Sequence, residues 1–152
     1  RRQRQMCIRD REPAAQVIGI DVSEKMLGAA RKNVGHAGAR FVCCDAGVLS
    51  LADSSIQKII CYSTFPHLRN HNLALKEFYR VLQPRGRVLI FHNCCSRRLN
   101  SYHAKINDIV AFDKLPKAEL LANAFHENGF VNVNVVEQPH QYYISASKGE
   151  LS

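Results

Sequence analysis

The stretch VIGIDVSEKMLGAARKNV, residues 17–34, decides the fold. Residues 17–20 form a short apolar run rich in β-branched side chains, which by its length reads as a buried strand. Asp21 follows it. Ser23 stands in N-cap position, Glu24 falls in the first helical turn, and Met26, Leu27, Ala30 and Val34 share one helical face. Gly35 and Gly38 end that helix. A strand feeding an amphipathic helix is the first half of a βαβ unit.

The alternation continues outward. Residues 41–44 read as the next strand, and residues 56–61 as another after a polar turn at 52–55. The spacing predicts a helix over 73–82 with Leu75, Phe78 and Leu82 inward. Residues 83–86 form a turn. Pro84 suits its second position and Gly86 its fourth, so a type I turn is expected, with no positive φ at Arg85. Residues 88–91 are a fully apolar strand. Leu99, Tyr102 or His103, Ile106, and Ile109 or Val110 recur at helical spacing over 99–112, as core packing or as a lid. Pro116 starts a further helix with Leu120, Leu121, Ala124 and Phe125 inward, and Asn128-Gly129 stops it. Residues 131–147 read as two strands around a turn at 138–140, too close together for a helical crossover and therefore antiparallel. The expected fold is α/β, a mixed sheet covered by helices on both faces.

The chain has 152 residues, 46% of them apolar and 22% charged, which suits one globular domain and excludes a disordered or fibrous chain. No apolar run approaches the ~20 residues of a membrane helix. The net charge of +8 is uneven: residues 1–12, RRQRQMCIRDRE, carry +3 of it. Residues 1–15 are expected to be a non-native or disordered basic segment, and a nucleic-acid-binding module rests on that run alone. Of the cysteines at 43, 44, 61, 94 and 95, four lie in or beside apolar runs, and none has C-x-x-C spacing, as expected of reduced core-filling thiols of a cytoplasmic protein. His92, Cys94, Cys95 and His103 are not expected to hold a metal, because adjacent cysteines on an extended chain face opposite ways.

In an open α/β sheet the ligand lies beyond the carboxyl ends of the strands. Asp21 follows the first strand, Asp45-Ala46 the second, Tyr62 to His67 the third, and His92-Asn93 the fourth. Asp21 suits the two hydroxyls of a ribose, or a second N-cap beside Ser23. Asp45 suits an adenine amine, or a cap on the turn at Ala46-Gly47. His67 suits a general base, or is a surface-loop histidine.

With these residues in place, VIGIDVSEKMLGAARKNV, FVCCDAGVLSLADSSIQKIICYSTFPHL and LALKEFYRVLQPRGRVLIFH resemble, in order and spacing, a class I S-adenosylmethionine-dependent methyltransferase with a methyltransferase-11-like domain. The resemblance covers about residues 16–147. It implies a Rossmann-like sheet with an antiparallel last strand, S-adenosylmethionine as cofactor, and a small-molecule methyl acceptor, with neither nucleic acid nor membrane as partner. It implies that Asp21 holds the ribose and that Val22, Ser23 and Met26 line the adenine. Asp45 and Ala46 would lie near the adenine amine, and Cys61 and Tyr62 under the methionine part. Ser63, Phe65 and His67 would face the substrate, and His67 is the candidate catalytic residue. His92, Ser96-Arg97, Asn100 and His103 match an H…SR…N…H pattern of a subgroup, which puts His92 and His103 on the substrate side.

The family's opening strand and D-x-G-x-G-x-G turn have no counterpart, since residues 1–15 contain no glycine. Residues 16–148 are accordingly expected to be a partial methyltransferase domain without its first strand, followed by a tail at 149–152. Such a fragment would expose unpaired strand edges at 17–20 and 56–60, bind cofactor poorly and show no turnover. A fragment of an NAD(P)-dependent oxidoreductase is the alternative, because Asp21 suits that ribose as well.

Overall fold

The computed structural model describes residues 16–34, 39–106 and 109–150. Contacts divide the chain into two compact units, residues 1–44 and 45–152. The expectations on residues 1–15, on Gly35 and Gly38 and on the last two residues lie outside the described residues.

In the first unit, β1 (Val17–Asp21), α1 (Glu24–Val34) and β2 (Ala39–Cys43) make a βαβ unit. The strands are parallel, in register from Val17 opposite Ala39 to Asp21 opposite Cys43. Ser23 caps α1 by accepting the Met26 amide at 3.4 Å. Glu24 in its first turn and Arg31 and Lys32 in its last complement the helix dipole. Leu27 and Ala30 are buried, whereas Met26 is 50% exposed. Met26 lies about 100° round the helix from Leu27 and falls at the margin of the apolar stripe. Gly19 is required by packing: a Cβ there would stand 2.8 Å from the Phe41 ring, which lies across β1.

The second unit runs through β3 (Ile56–Tyr62), a 3-10 turn at Phe65–His67, α2 (His71–Val81) and β4 (Leu82–His92). It continues through α3 (Ser96–His103), a 3-10 turn at Ile109–Phe112, α4 (Ala118–Glu127), β5 (Phe130–Gln138) and β6 (Gln141–Lys148). The sheet order is β3-β4-β6-β5, with β3 and β4 parallel and β6 antiparallel to both neighbours. This is the mixed sheet that the closely spaced C-terminal strands require. Alternate residues Tyr142, Ile144 and Ala146 of β6 are buried, and Val88 and Ile90 of β4 lie beside them in the core. Leu75, Phe78 and Val81 of α2 and Leu121 and Phe125 of α4 fill the rest. Among the described residues β1 pairs with β2 alone and β3 with β4 alone, so each keeps one edge without a partner strand.

Three local expectations are corrected. The turn at 83–86 is not type I, because Arg85 has φ +63°. A Cβ on Gly86 would stand 2.8 Å from the Gln83 carbonyl and 3.2 Å from that of Gln57. The glycine is consumed by this close approach, and the left-handed backbone falls on Arg85 instead. The apolar spacing over 99–112 does not make one helix. α3 starts at Ser96 and ends at His103, closed by the tight turns of Lys105 N–H to Tyr102 O and Ile106 N–H to His103 O. The chain turns back there because Asn100 and His103 bind residues 113–115, as detailed below. Finally, α4 begins at Ala118 rather than at Pro116, and Leu120 is 62% exposed. The stop at Asn128-Gly129 is as expected, with φ +87° at the glycine.

Candidate functional site

In the first unit the candidate residues lie at the tip of β1 and the start of α1. Asp21 Oδ1 accepts the Ser23 amide at 2.8 Å, so the carboxylate does cap the turn into α1. Among the described residues its Oδ2 has no hydrogen-bond partner. Val22 (63% exposed) and Met26 offer apolar surface next to it, the kind a purine ring covers. Cys43 is exposed, with its thiol donating to the Val22 carbonyl at 3.4 Å, so its expected role as core filling is corrected.

In the second unit Asp45 Oδ1 accepts the Gly47 amide at 2.8 Å and Oδ2 lies 3.9 Å from Arg69 Nε. The turn cap is therefore real, and Ala46 sits inside that turn. Cys61 is half-buried, and desolvation pushes its thiol up to about 12, which leaves it a poor nucleophile. Tyr62 is 41% exposed and packs on Phe91 with ring centroids 4.7 Å apart. Ser63 leaves β3 with φ +53°, its amide donating to the Phe91 carbonyl at 3.0 Å. A non-glycine residue held left-handed at a strand tip is costly, and such residues concentrate at functional sites.

Phe65 does not face a substrate: it is fully buried and stacked on His71 at 4.5 Å. His67, next but one, is accessible. Its Nδ1 lies 2.6 Å from Asp113 Oδ2, and its ring lies 5.3 Å from that of His103. His67 and Asp113 edge an open cleft of about 620 Å³ lined by Pro66, Arg69, His71 and Phe112 among others. Phe112 is 89% exposed at that edge. His92 and His103 are buried and do not line this cleft. Burial first, then the charges of His67 and His103, hold His92 down to about 4, and among the described residues its Nε2 has no hydrogen-bond partner.

Two acids that spacing did not single out organise this region. Asp113 lies 46 positions from His67, and Glu137 lies 41 from Ser96. No local pattern in the sequence marks either pair. Glu137 accepts the Ser96 amide (2.8 Å), the Ser96 hydroxyl (2.5 Å) and the Ala118 amide (2.8 Å). Burial alone would push its carboxyl up, but these donors outweigh it and hold it below the usual range.

Residues 4–90 match the family described as Methyltransferase domain. The chain is similar to a demethylmenaquinone methyltransferase of Thermus thermophilus, 32% identical over 87 residues, which is 56% of this chain and 40% of that protein. It is also similar to a ubiquinone/menaquinone biosynthesis C-methyltransferase of Pasteurella multocida, 26% identical over 134 residues, 85% of this chain and 49% of that one. The chain thus spans about half or less of the length of these relatives. Among solved structures, an S-adenosylmethionine-dependent methyltransferase of Thermotoga maritima superposes with a TM-score of 0.73 at 20% identity, covering 87% of this chain and 72% of that one. Phosphoethanolamine N-methyltransferase 2 of Haemonchus contortus, solved with phosphomonomethylethanolamine and S-adenosylhomocysteine, superposes with a TM-score of 0.73 at 17% identity, covering 89% of this chain and 44% of that one. The fold is the Rossmann-like fold of these proteins, and the oxidoreductase alternative gives way to the family match.

Proposed function

The chain belongs to the methyltransferase domain family, and on that premise we propose that it moves a methyl group from S-adenosylmethionine to a small aromatic acceptor, with Asp21 on the donor's ribose and His67 facing the acceptor. S-adenosylmethionine is the donor in this family and supplies a methyl carbon bound to a sulfonium sulfur, a good leaving group that needs no acid catalysis. The chain's own contribution is binding and alignment, together with removal of a proton where the acceptor carries one.

What supports the donor half is the free oxygen of Asp21 beside exposed Val22 and Met26. Ser23 completes that adenine wall in this reading, and Asp45 and Ala46 take the adenine amine. Cys61 and Tyr62 lie under the methionine part. What supports the acceptor half is the His67 imidazole, 37% exposed and hydrogen-bonded to Asp113 at the edge of a cleft. In this reading Ser63, His92 and His103 belong to the acceptor side as well, the two histidines behind its surface. The relatives named for demethylmenaquinone make a quinone-type ring the first acceptor to try. The exposed Phe112 suits stacking on such a ring.

The single observation that carries the reading is the family match over residues 4–90, which contain Asp21, Asp45 and His67. Its test is a titration of S-adenosylmethionine followed residue by residue in NMR spectra. Saturable shifts at Asp21 to Met26 and at Asp45-Ala46 support it, and shifts confined elsewhere sink it.

A further inference from the structure

We propose that Asp113 is the positioning residue of His67, fixing the imidazole as the Nδ1–H tautomer so that Nε2 faces the cleft as the proton acceptor. The inference rests on the proposed role of His67 and deepens it. An ionised carboxylate only accepts, so at 2.6 Å from Asp113 Oδ2 the Nδ1 atom carries the hydrogen. The lone pair of the neutral ring then sits on Nε2, which among the described residues has no hydrogen-bond partner.

The structure explains how an acid so far along the chain comes to lie there. Residues 113–115 are tied to α3. Asn100 Nδ2 donates to the Leu115 carbonyl at 3.0 Å, and the Leu115 amide donates to Asn100 Oδ1 at 2.8 Å. His103 Nδ1 bonds the carbonyl of Asp113 itself at 2.8 Å. Glu137 joins the start of α3 to the start of α4 through Ser96 and Ala118, which bounds the segment on its far side. Ser96, Asn100 and His103 are three members of the H…SR…N…H pattern. Two of them are buried. Their geometry assigns them to holding the Asp113 segment in place, not to touching a substrate.

The consequence for the reaction is a balanced proton transfer. The acceptor's acidic proton passes to His67 Nε2, and the electron pair it leaves forms the bond to the methyl carbon. The pair of the broken carbon–sulfur bond stays on sulfur, and the imidazolium is compensated by the Asp113 carboxylate until it returns the proton to water.

The tautomer is read without turnover, from the ring ¹⁵N shifts of His67 above neutral pH in the full chain. The account expects a protonated Nδ1 and an unprotonated Nε2. Asp113→Ala should move the ring to the Nε2–H form and slow modification of His67 by diethylpyrocarbonate several-fold. Asp113→Glu should restore both, and Asn100→Ala should give an intermediate effect. Where a variant's melting temperature shows it unfolded, the wild-type tautomer alone decides. An Nε2–H tautomer in the wild type overturns the proposal, as does a folded Asp113→Ala chain with unchanged shifts and reactivity. Neither result touches the donor titration, so a failure here is distinct from failure of the methyl-transfer reading.

Discussion

Glu137 on β5 receives both the amide and the hydroxyl of Ser96, at 2.8 and 2.5 Å, and so closes the start of α3. Its other oxygen takes the Ala118 amide at 2.8 Å, so one carboxylate serves the first turns of two helices. Cys95 and Lys117, in the N-cap positions, make no side-chain cap of their own.

Glu137→Ala should therefore destabilise the fold by about 2–4 kcal/mol, the cost of orphaning donors held by a charged acceptor. Glu137→Gln, which keeps one carbonyl oxygen, should lose about half of that. Denaturant midpoints of the variants check both values.

His92 predicts an acid limb of stability. Its ring is buried, held down to about 4, and remains neutral in the folded state while the unfolded chain binds a proton near 6.5. Between those values the unfolded state holds more protons, so stability falls as pH falls through that window, by roughly 3 kcal/mol in all. His92→Phe should flatten the fall. Melting temperatures of both proteins at pH 7 and pH 5 make the comparison.

At the start of β4, Gly86→Ala should cost about 1–3 kcal/mol, because the new Cβ meets the Gln83 carbonyl at 2.8 Å and the Leu82 side chain at 3.1 Å. Thermal unfolding measures it directly.

The fold was legible where physics is local. The apolar run at 17–20 followed by the Ser23 cap gave β1 and α1, and the short spacing of the last two strands gave the antiparallel pair β5 and β6. Asn128-Gly129 marked the end of α4 to the residue. The departures come from long-range contacts. Arg85 is left-handed because Gly86 is packed under Gln83. The apolar spacing over 99–112 breaks because Asn100 and His103 draw residues 113–115 back onto α3. Among the candidate residues, Asp21, Asp45 and His67 were visible because they follow strands, whereas Asp113 and Glu137 are joined to their partners only by the folded chain. Phe65 sits in the same visible stretch, and burial against His71 removes it from the mouth of the cleft.

The most direct measurement is the affinity of the chain for S-adenosylmethionine, followed by NMR titration in the wild type and in Asp21→Ala. The account predicts binding that is weak, because the glycine-rich turn has no counterpart in residues 1–15, yet saturable at Asp21, Val22, Ser23 and Met26, and weakened a further 10- to 150-fold or about that by the substitution. That is the range expected on losing hydrogen bonds to a charged acceptor worth about 1.5–3 kcal/mol. Equal affinity in the two proteins, or saturable binding of NADH in place of S-adenosylmethionine, would contradict it.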